Sequence, residues 1–294
     1  MRTRRIGNST VSAIGLGGMP LSIEGRPDRA RAIATVHAAL DAGVTFIDTA
    51  DAYTIDADGP GHNETLITEA LASYPGDPSG VLVATKGGLI HLDGQHWPND
   101  GSPDHLREAA QASRQRLGVE TIGLYQFHQP DPAWDFAQSM RTIRDLLDDG
   151  VIAQAGVSNV TVDQIKIAQD VLNGRLVSVQ NRFSPVNRKS MPQLEYCGAN
   201  GIAFLPWSPL GGIGNGEAVF AEQHVFADVA AELGVSPQQV ALAWELALGE
   251  HVIPIPGCSR PASIADSACA AELALTSAQL AQLSSSGPGT SVRY

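Results

Sequence analysis

One unit recurs along this chain: a short run rich in β-branched residues, a polar or glycine-containing loop, an amphipathic stretch with helical spacing, and a glycine or polar stop. Strands that alternate with helices in this way build parallel sheets, because each helix carries the chain back across a face of the sheet. The runs that read as strands are residues 13–16, 45–48, 81–86, 122–128, 152–158, 177–180, 203–206 and 252–255. Helical spacing fills the gaps at residues 28–42, 63–73, 103–117, 134–149, 161–172 and 189–200. Ser102-Pro103 is a helix start with a capping hydroxyl followed by proline in the first turn, and Gly43, Gly118, Gly150 and Gly201 are stops. Two helices, 225–233 and 237–248, precede the last strand, and two more, 261–270 and 276–283, follow it.

Eight such units in 294 residues, with no Ser/Gly/Pro-rich linker between them, predict one closed (β/α)8 TIM barrel spanning residues 1–294 as a single domain. An open dinucleotide-binding sheet would instead show a G-x-G-x-x-G turn leading into a helix. The nearest candidate, GLGGMP at 15–20, lacks the third glycine and leads into no helix. Ahead of the first unit, residues 6–12 with Gly7-Asn8 at their centre read as an N-terminal β-hairpin placed to plug the barrel bottom.

Composition narrows the partners. With 19 Lys+Arg against 31 Asp+Glu the formal charge is −12, and the only basic cluster is Arg2, Arg4 and Arg5. This charge balance excludes general affinity for nucleic acid or anionic lipid, both of which need clustered cations. The apolar stretch at 11–21 is broken by Gly15, Gly17 and Gly18, so no membrane span or signal peptide is expected. Three dispersed cysteines, Cys197, Cys258 and Cys269, form neither a disulfide framework nor a metal site, which fits a reduced cytoplasm. His91 and His96 in the long loop 87–102 read as surface residues.

In a (β/α)8 barrel the chemistry sits where the strands end. Those exits carry Asp48, Lys86, His128, Ser158-Asn159, Gln180, Trp207-Ser208 and Gly257, with Tyr53 five residues beyond Asp48. Each charged residue has an ordinary structural explanation when taken singly, as a turn cap, a snorkelling lysine or a core histidine. Together they suit carbonyl reduction, in which the oxygen gains negative charge and needs a proton. Tyr53 is the donor candidate. A neighbouring Lys86 ammonium lowers a phenol's pKa, Asp48 holds that ammonium, and His128 aims an N–H at the substrate oxygen.

The stretches GVTFIDTADAY (43–53), VATKGG (83–88), LYQFHQPD (124–131), GVSN (156–159), SVQNRFSP (178–185), WSPLGG (207–212) and IPIPG (253–257) resemble, in this order, the bacterial-type aldo-keto reductases. The resemblance implies a barrel, a catalytic tetrad at Asp48, Tyr53, Lys86 and His128, and a nicotinamide cofactor lying across the strand ends. It implies that Ser158, Asn159 and Gln180 bind the carboxamide, that Trp207 stacks on the nicotinamide ring, and that Ser208, Pro209, Leu210 and Gly211 line the pyrophosphate. Beyond the last strand the family's usual Lys and Arg are missing. Gly257, Ser259, Arg260 and Asp266 are then the expected adenosine-side residues, with Arg260 and Ser259 anchoring a 2′-phosphate, so that NADPH is expected over NADH. Met19 and Trp97, joined by Pro20 and Trp134, are expected around a small carbonyl substrate. The short tail after Leu283 suggests an open pocket. The expected assembly is a monomer, and no metal is implied. Three alternatives stay open: a pyridoxal-type reductase of the same family, a non-catalytic NADPH-sensing barrel, and a Schiff-base aldolase using Lys86.

Overall fold

The computed structural model describes residues 1–55, 58–91, 97–212 and 224–286. The hairpin is formed by β1 (Thr3–Ile6) and β2 (Ser9–Ser12), which are antiparallel and joined by Gly7 and Asn8. Gly7 takes a positive φ of 52°, the left-handed conformation that a two-residue turn of this kind requires. Ile6 and Val11 point into the barrel, where they pack with Phe46, Ala84, Leu124 and Ile253. Gln154, just ahead of β7, locks the plug to the barrel, since its Oε1 accepts from Asn8 N at 2.9 Å and its Nε2 donates to Ser9 Oγ at 3.0 Å.

A parallel sheet of seven strands follows, each hydrogen-bonded to the next in sequence: β3 (Leu16–Gly17), β4 (Phe46–Asp48), β5 (Leu82–Gly87), β6 (Leu124–Phe127), β7 (Ala155–Ser158), β8 (Leu176–Gln180) and β9 (Ala203–Phe204). The eighth run, residues 252–255, is not a regular strand although it occupies the eighth place. Ile253 N donates to Phe204 O at 2.9 Å and Ile255 N to Pro206 O at 3.2 Å, while Pro254 O and Pro256 O accept from Gly15 N and Gly17 N at 2.9 and 3.0 Å. Those contacts close the cylinder. Because Pro254 and Pro256 carry no N–H, they meet β3 as acceptors alone, and the pairing there is reduced to a single bridge between Gly17 and Gly257.

Around the cylinder run α1 (Arg29–Asp41), α2 (His62–Ala72), α3 (Pro103–Leu117), α4 (Phe136–Asp148), α5 (Val162–Val171), α6 (Met191–Ala199), α7 (His224–Leu233), α8 (Pro237–Ala247), α9 (Pro261–Cys269) and α10 (Ser277–Ser285). Their starts follow the expected chemistry. Asp28 and Ser102 cap α1 and α3 through their side chains, and Thr161 with Gln164 forms a reciprocal capping box on α5. The expected helix at residues 134–149 begins later, at Phe136, because Trp134 belongs to a turn on Asp131.

Strand alternation sorts the interior by height. Residues of one parity on each strand face the axis. Phe46, Ala84 and Leu124 form an apolar lower layer, and the next inward positions of the same strands are Asp48, Lys86 and Gln126. The barrel is thus dry below and polar at its carboxyl-end rim.

Candidate active site

The rim layer is a connected set of buried polar groups. Asp48 Oδ2 accepts from Lys86 Nζ at 2.6 Å, and Lys86 Nζ also donates to Thr49 O at 2.9 Å and to the Tyr53 hydroxyl at 3.0 Å. All three ammonium protons are therefore engaged. The other Asp48 oxygen, Oδ1, accepts from Gln180 Nε2 at 2.7 Å and from Gln126 Nε2 at 3.2 Å. Burial opposes the charge on Lys86, yet Asp48 and the Tyr53 oxygen outweigh it and hold the lysine pKa above its ordinary value. It is an ammonium across the neutral range.

Tyr53 is held by its own loop. Asp51 N donates to Lys86 O, Gly61 N to Asp51 O at 2.6 Å, and Asn63 N to Tyr53 O at 3.3 Å. The Asn63 side chain ties this loop to β3 and β4. Its Nδ2 donates to Gly18 O and Ser22 Oγ, and its Oδ1 accepts from Thr49 Oγ1 at 2.6 Å. The Tyr53 ring meets the His128 ring edge-on, with centroids 5.7 Å apart. Burial raises the Tyr53 pKa, Lys86 pulls it down and Asp48 adds to the rise; the net direction is upward, against the lowering expected from Lys86 alone. His128 is pushed well below the ordinary imidazole range by burial and by Lys86, so it is neutral and retains one N–H to donate.

A cavity of about 800 Å3 opens over these groups and runs to the start of α9. Asp48, Tyr53 and His128 form its floor at one end, while Ser259, Arg260 and Asp266 line the other. Along the way Ser158, Asn159, Gln180, Trp207, Ser208, Pro209, Leu210 and Gly257 all face it. These side chains are positioned by one another. Ser158 Oγ donates to Gln180 O, Asn159 Nδ2 to His128 O, and Trp207 Nε1 to Asn159 Oδ1 at 3.0 Å. Arg182 lies over the Trp207 ring, 5.6 Å from its centroid. Lys86 itself is sealed beneath the floor and meets the cavity through the two floor residues it bonds, Asp48 and Tyr53.

Two of the lining residues have strained backbone. Asn159 and Ser208 sit at φ of 58° and 51°, a conformation that serine seldom adopts and that clusters at functional sites. Gly211 closes the turn with its N–H on Ser208 O at 2.9 Å; it shapes the loop from behind, and Gly212 faces the cavity. At the α9 end both oxygens of Asp266 are taken, by Ser236 Oγ at 2.7 Å and Gln239 Nε2 at 2.6 Å, so that this carboxylate braces the wall. Arg260 is exposed at the N-cap of α9. Burial pushes the neighbouring Cys258 thiol up to about 12, which leaves it unreactive.

Met19, Pro20 and Trp97 line the tetrad end of the cavity, and Leu89 and Gln129 join them. Trp134 does not: it is exposed, outside the cavity wall. His91 packs against Trp97 with centroids 4.8 Å apart, whereas His96, the rest of 92–96 and the tail beyond 286 lie outside the described residues. Among the described residues no cluster of three His, Cys, Asp or Glu side chains could hold a metal, and no helix is long and apolar enough to cross a membrane. Gln126 and Asn63 were not singled out as site residues in the sequence. The signal for Gln126 was its parity with His128 two residues on; Asn63 gave none, because its partners lie 14 to 45 positions away.

Known proteins share this architecture. The family model described as the aldo/keto reductase family matches residues 13–287. A 6-dehydroglucose reductase of Novosphingobium aromaticivorans is 36% identical over 90% of this chain and 88% of its own length. A pyridoxine 4-dehydrogenase of Escherichia coli is 30% identical, covering 96% of each chain. Among solved structures, an aldo/keto reductase from Klebsiella pneumoniae in complex with NADP and acetate superposes with a TM-score of 0.80 at 23% identity, over 99% of this chain and 97% of that one.

Proposed function

Because the chain belongs to the aldo/keto reductase family of oxidoreductases, we propose that it reduces aldehydes or ketones to alcohols with NADPH, using Tyr53 as the proton donor. The observation that carries this reading is the buried Asp48–Lys86–Tyr53 chain, at 2.6 and 3.0 Å, ending on a phenol at the cavity floor beside a neutral His128. The donor set suits a nicotinamide dinucleotide. Ser158, Asn159 and Gln180 offer the mixed donors and acceptors an amide needs, Trp207 offers a flat face, and Arg260 with Ser259 offers charged and neutral donors to a 2′-phosphate. The Klebsiella pneumoniae protein that shares the fold was crystallised with NADP.

NADPH, when bound, supplies the hydride. The chain's own groups do the rest. His128 donates its N–H to the carbonyl oxygen and fixes it over the floor. As negative charge grows on that oxygen, Tyr53 transfers its hydroxyl proton to it. The resulting phenolate is stabilised by the Lys86 ammonium 3.0 Å away, and Asp48 keeps that ammonium charged and oriented. Met19, Pro20, Leu89 and Trp97 line the cavity with the reacting groups. A Schiff-base role for Lys86 is disfavoured, since its three protons are all engaged and its pKa is raised.

The two relatives direct the choice of substrate. A sugar aldehyde of the 6-dehydroglucose type and pyridoxal head the panel, with nitrobenzaldehyde, a quinone and methylglyoxal as general probes. NADPH oxidation is measured against each for wild type and Tyr53→Phe. Loss of a general acid predicts a fall in kcat of about 10²–10⁴-fold. Undiminished turnover in the variant overturns the assignment of Tyr53, and tight NADPH binding without turnover of any carbonyl moves the protein to the cofactor-sensing reading.

A further inference from the structure

The tetrad is held from across the barrel. Gln126 lies on β6, is wholly buried, and spends its amide on two contacts: Nε2 donates to Asp48 Oδ1 at 3.2 Å, and Oε1 accepts from Ser178 Oγ of β8 at 3.3 Å. The space for this pair exists only because residue 156, between them on β7, is glycine. A Cβ there would stand 2.1 Å from Ser178 Oγ and 2.9 Å from Gln126 Cγ. An amide in the barrel interior would be costly unless both its ends were satisfied, and here both are. We infer that Gln126, set by Ser178 across Gly156, is a positioning residue that pins and partly neutralises the far oxygen of Asp48 and thereby tunes the acidity of Tyr53.

Asp48 links Gln126 to Tyr53. One carboxylate oxygen faces Lys86, and the other receives the two amides, Gln180 and Gln126. Gln180 also lines the cavity, so its amide is shared between Asp48 and whatever occupies that end. Gln126 has no such second duty, which makes it the permanent half of the clamp. The amide N–H turns the positive end of its dipole toward Asp48 and offsets part of the carboxylate's charge. Asp48 raises the Tyr53 pKa, so removing the amide exposes more of that negative charge and raises it further, making Tyr53 a poorer acid.

This inference rests on Tyr53 being the acid, and its test has an arm that does not require turnover. Gln126→Met keeps the length and volume and removes the hydrogen bonds, and Gln126→Glu restores a donor only while its carboxyl is protonated. The chain has five tyrosines, so Tyr ring carbons labelled at Cζ give a resolvable spectrum in which Tyr53→Phe identifies one line. The expected result is a Tyr53 titration midpoint moved upward by about half a pH unit or more in Gln126→Met. In kinetics the same variant loses kcat with KM for NADPH held within twofold, and the alkaline limb of the pH profile moves in the same sense. Gln126→Glu is expected to match wild type at acid pH and to fall away as its carboxyl ionises. A Tyr53 midpoint unmoved in Gln126→Met overturns the inference, as does a Gln126→Glu profile parallel to wild type. Failure of the reductase reading shows separately, as a wild type that turns over no carbonyl while the Tyr53 line still responds to Gln126→Met.

Discussion

Asp51 should make the fold lose stability between mildly acidic and mildly alkaline pH. Its carboxyl is buried two residues before Tyr53, and its Oδ1 has no hydrogen-bond partner. Burial first, and the Glu64 carboxylate second, raise its pKa from 3.8 to about 8, against the pull of Arg116. Between those values the folded chain holds a proton that the unfolded chain has released. Folding stability therefore falls as pH rises through this window, by roughly 1.4 kcal/mol per pH unit, and becomes level above about 8. Asp51→Asn keeps the shape and removes the ionisation. The assay is urea unfolding of wild type and Asp51→Asn at matched pH, with the difference between them as readout so that other titrating groups cancel. From pH 5 to 7.5 the variant should gain about 3 kcal/mol relative to wild type. Two stability curves that stay parallel across this range refute the reasoning and mean that Asp51 is ionised in the fold, with a compensating partner.

Lys86→Met removes the cation 3.0 Å from the Tyr53 oxygen; kcat should fall by about 10² or more, and the alkaline limb of the pH profile should move up beyond the measurable range. The same change leaves Asp48 buried without its ion partner, and the stability loss should be about 3 kcal/mol, the lower end for broken buried pairs, because the two amides remain. His128 is neutral in the fold, so kcat/KM should show no histidine inflection between pH 6 and 8; an inflection near 6.5 that vanishes in His128→Asn contradicts this. Gly156→Ala forces Ser178 and Gln126 apart and should cost roughly 1–3 kcal/mol in thermal or urea unfolding, with a fall in kcat. Arg260→Ala should weaken NADPH binding, read by fluorescence quenching, by about tenfold while leaving NADH binding unchanged.

The barrel was legible because its signal is repeated: eight units of apolar run, loop and amphipathic stretch leave few alternatives, and the Ser102-Pro103 cap fixed the start of α3. The clustering of Asp48, Tyr53, Lys86 and His128 was legible because three of them sit at strand exits and Tyr53 lies five residues past one. What escaped was coupling over distance. The Asn63 brace spans three segments, and the upward net shift at Tyr53 depends on how completely the fold buries it; neither has a local pattern. The eighth strand was misread for the opposite reason. Its β-branched residues, Val252, Ile253 and Ile255, announced a strand, while Pro254 and Pro256 limited it to a stave that accepts on one side and pairs on the other.

That stave has a consequence for aggregation. A cylinder opens most readily along its weakest seam, and opening turns two sealed strands into sheet edges able to recruit strands of other chains. Here the seam between residues 252–257 and β3 carries Pro254 and Pro256 on the side that would be uncovered. An edge studded with prolines presents no N–H in register to a passing strand and cannot template its addition. Breathing at this seam therefore uncovers one edge that cannot template a strand, while the facing edge keeps its donors, Gly15 N and Gly17 N, for re-pairing with the proline carbonyls.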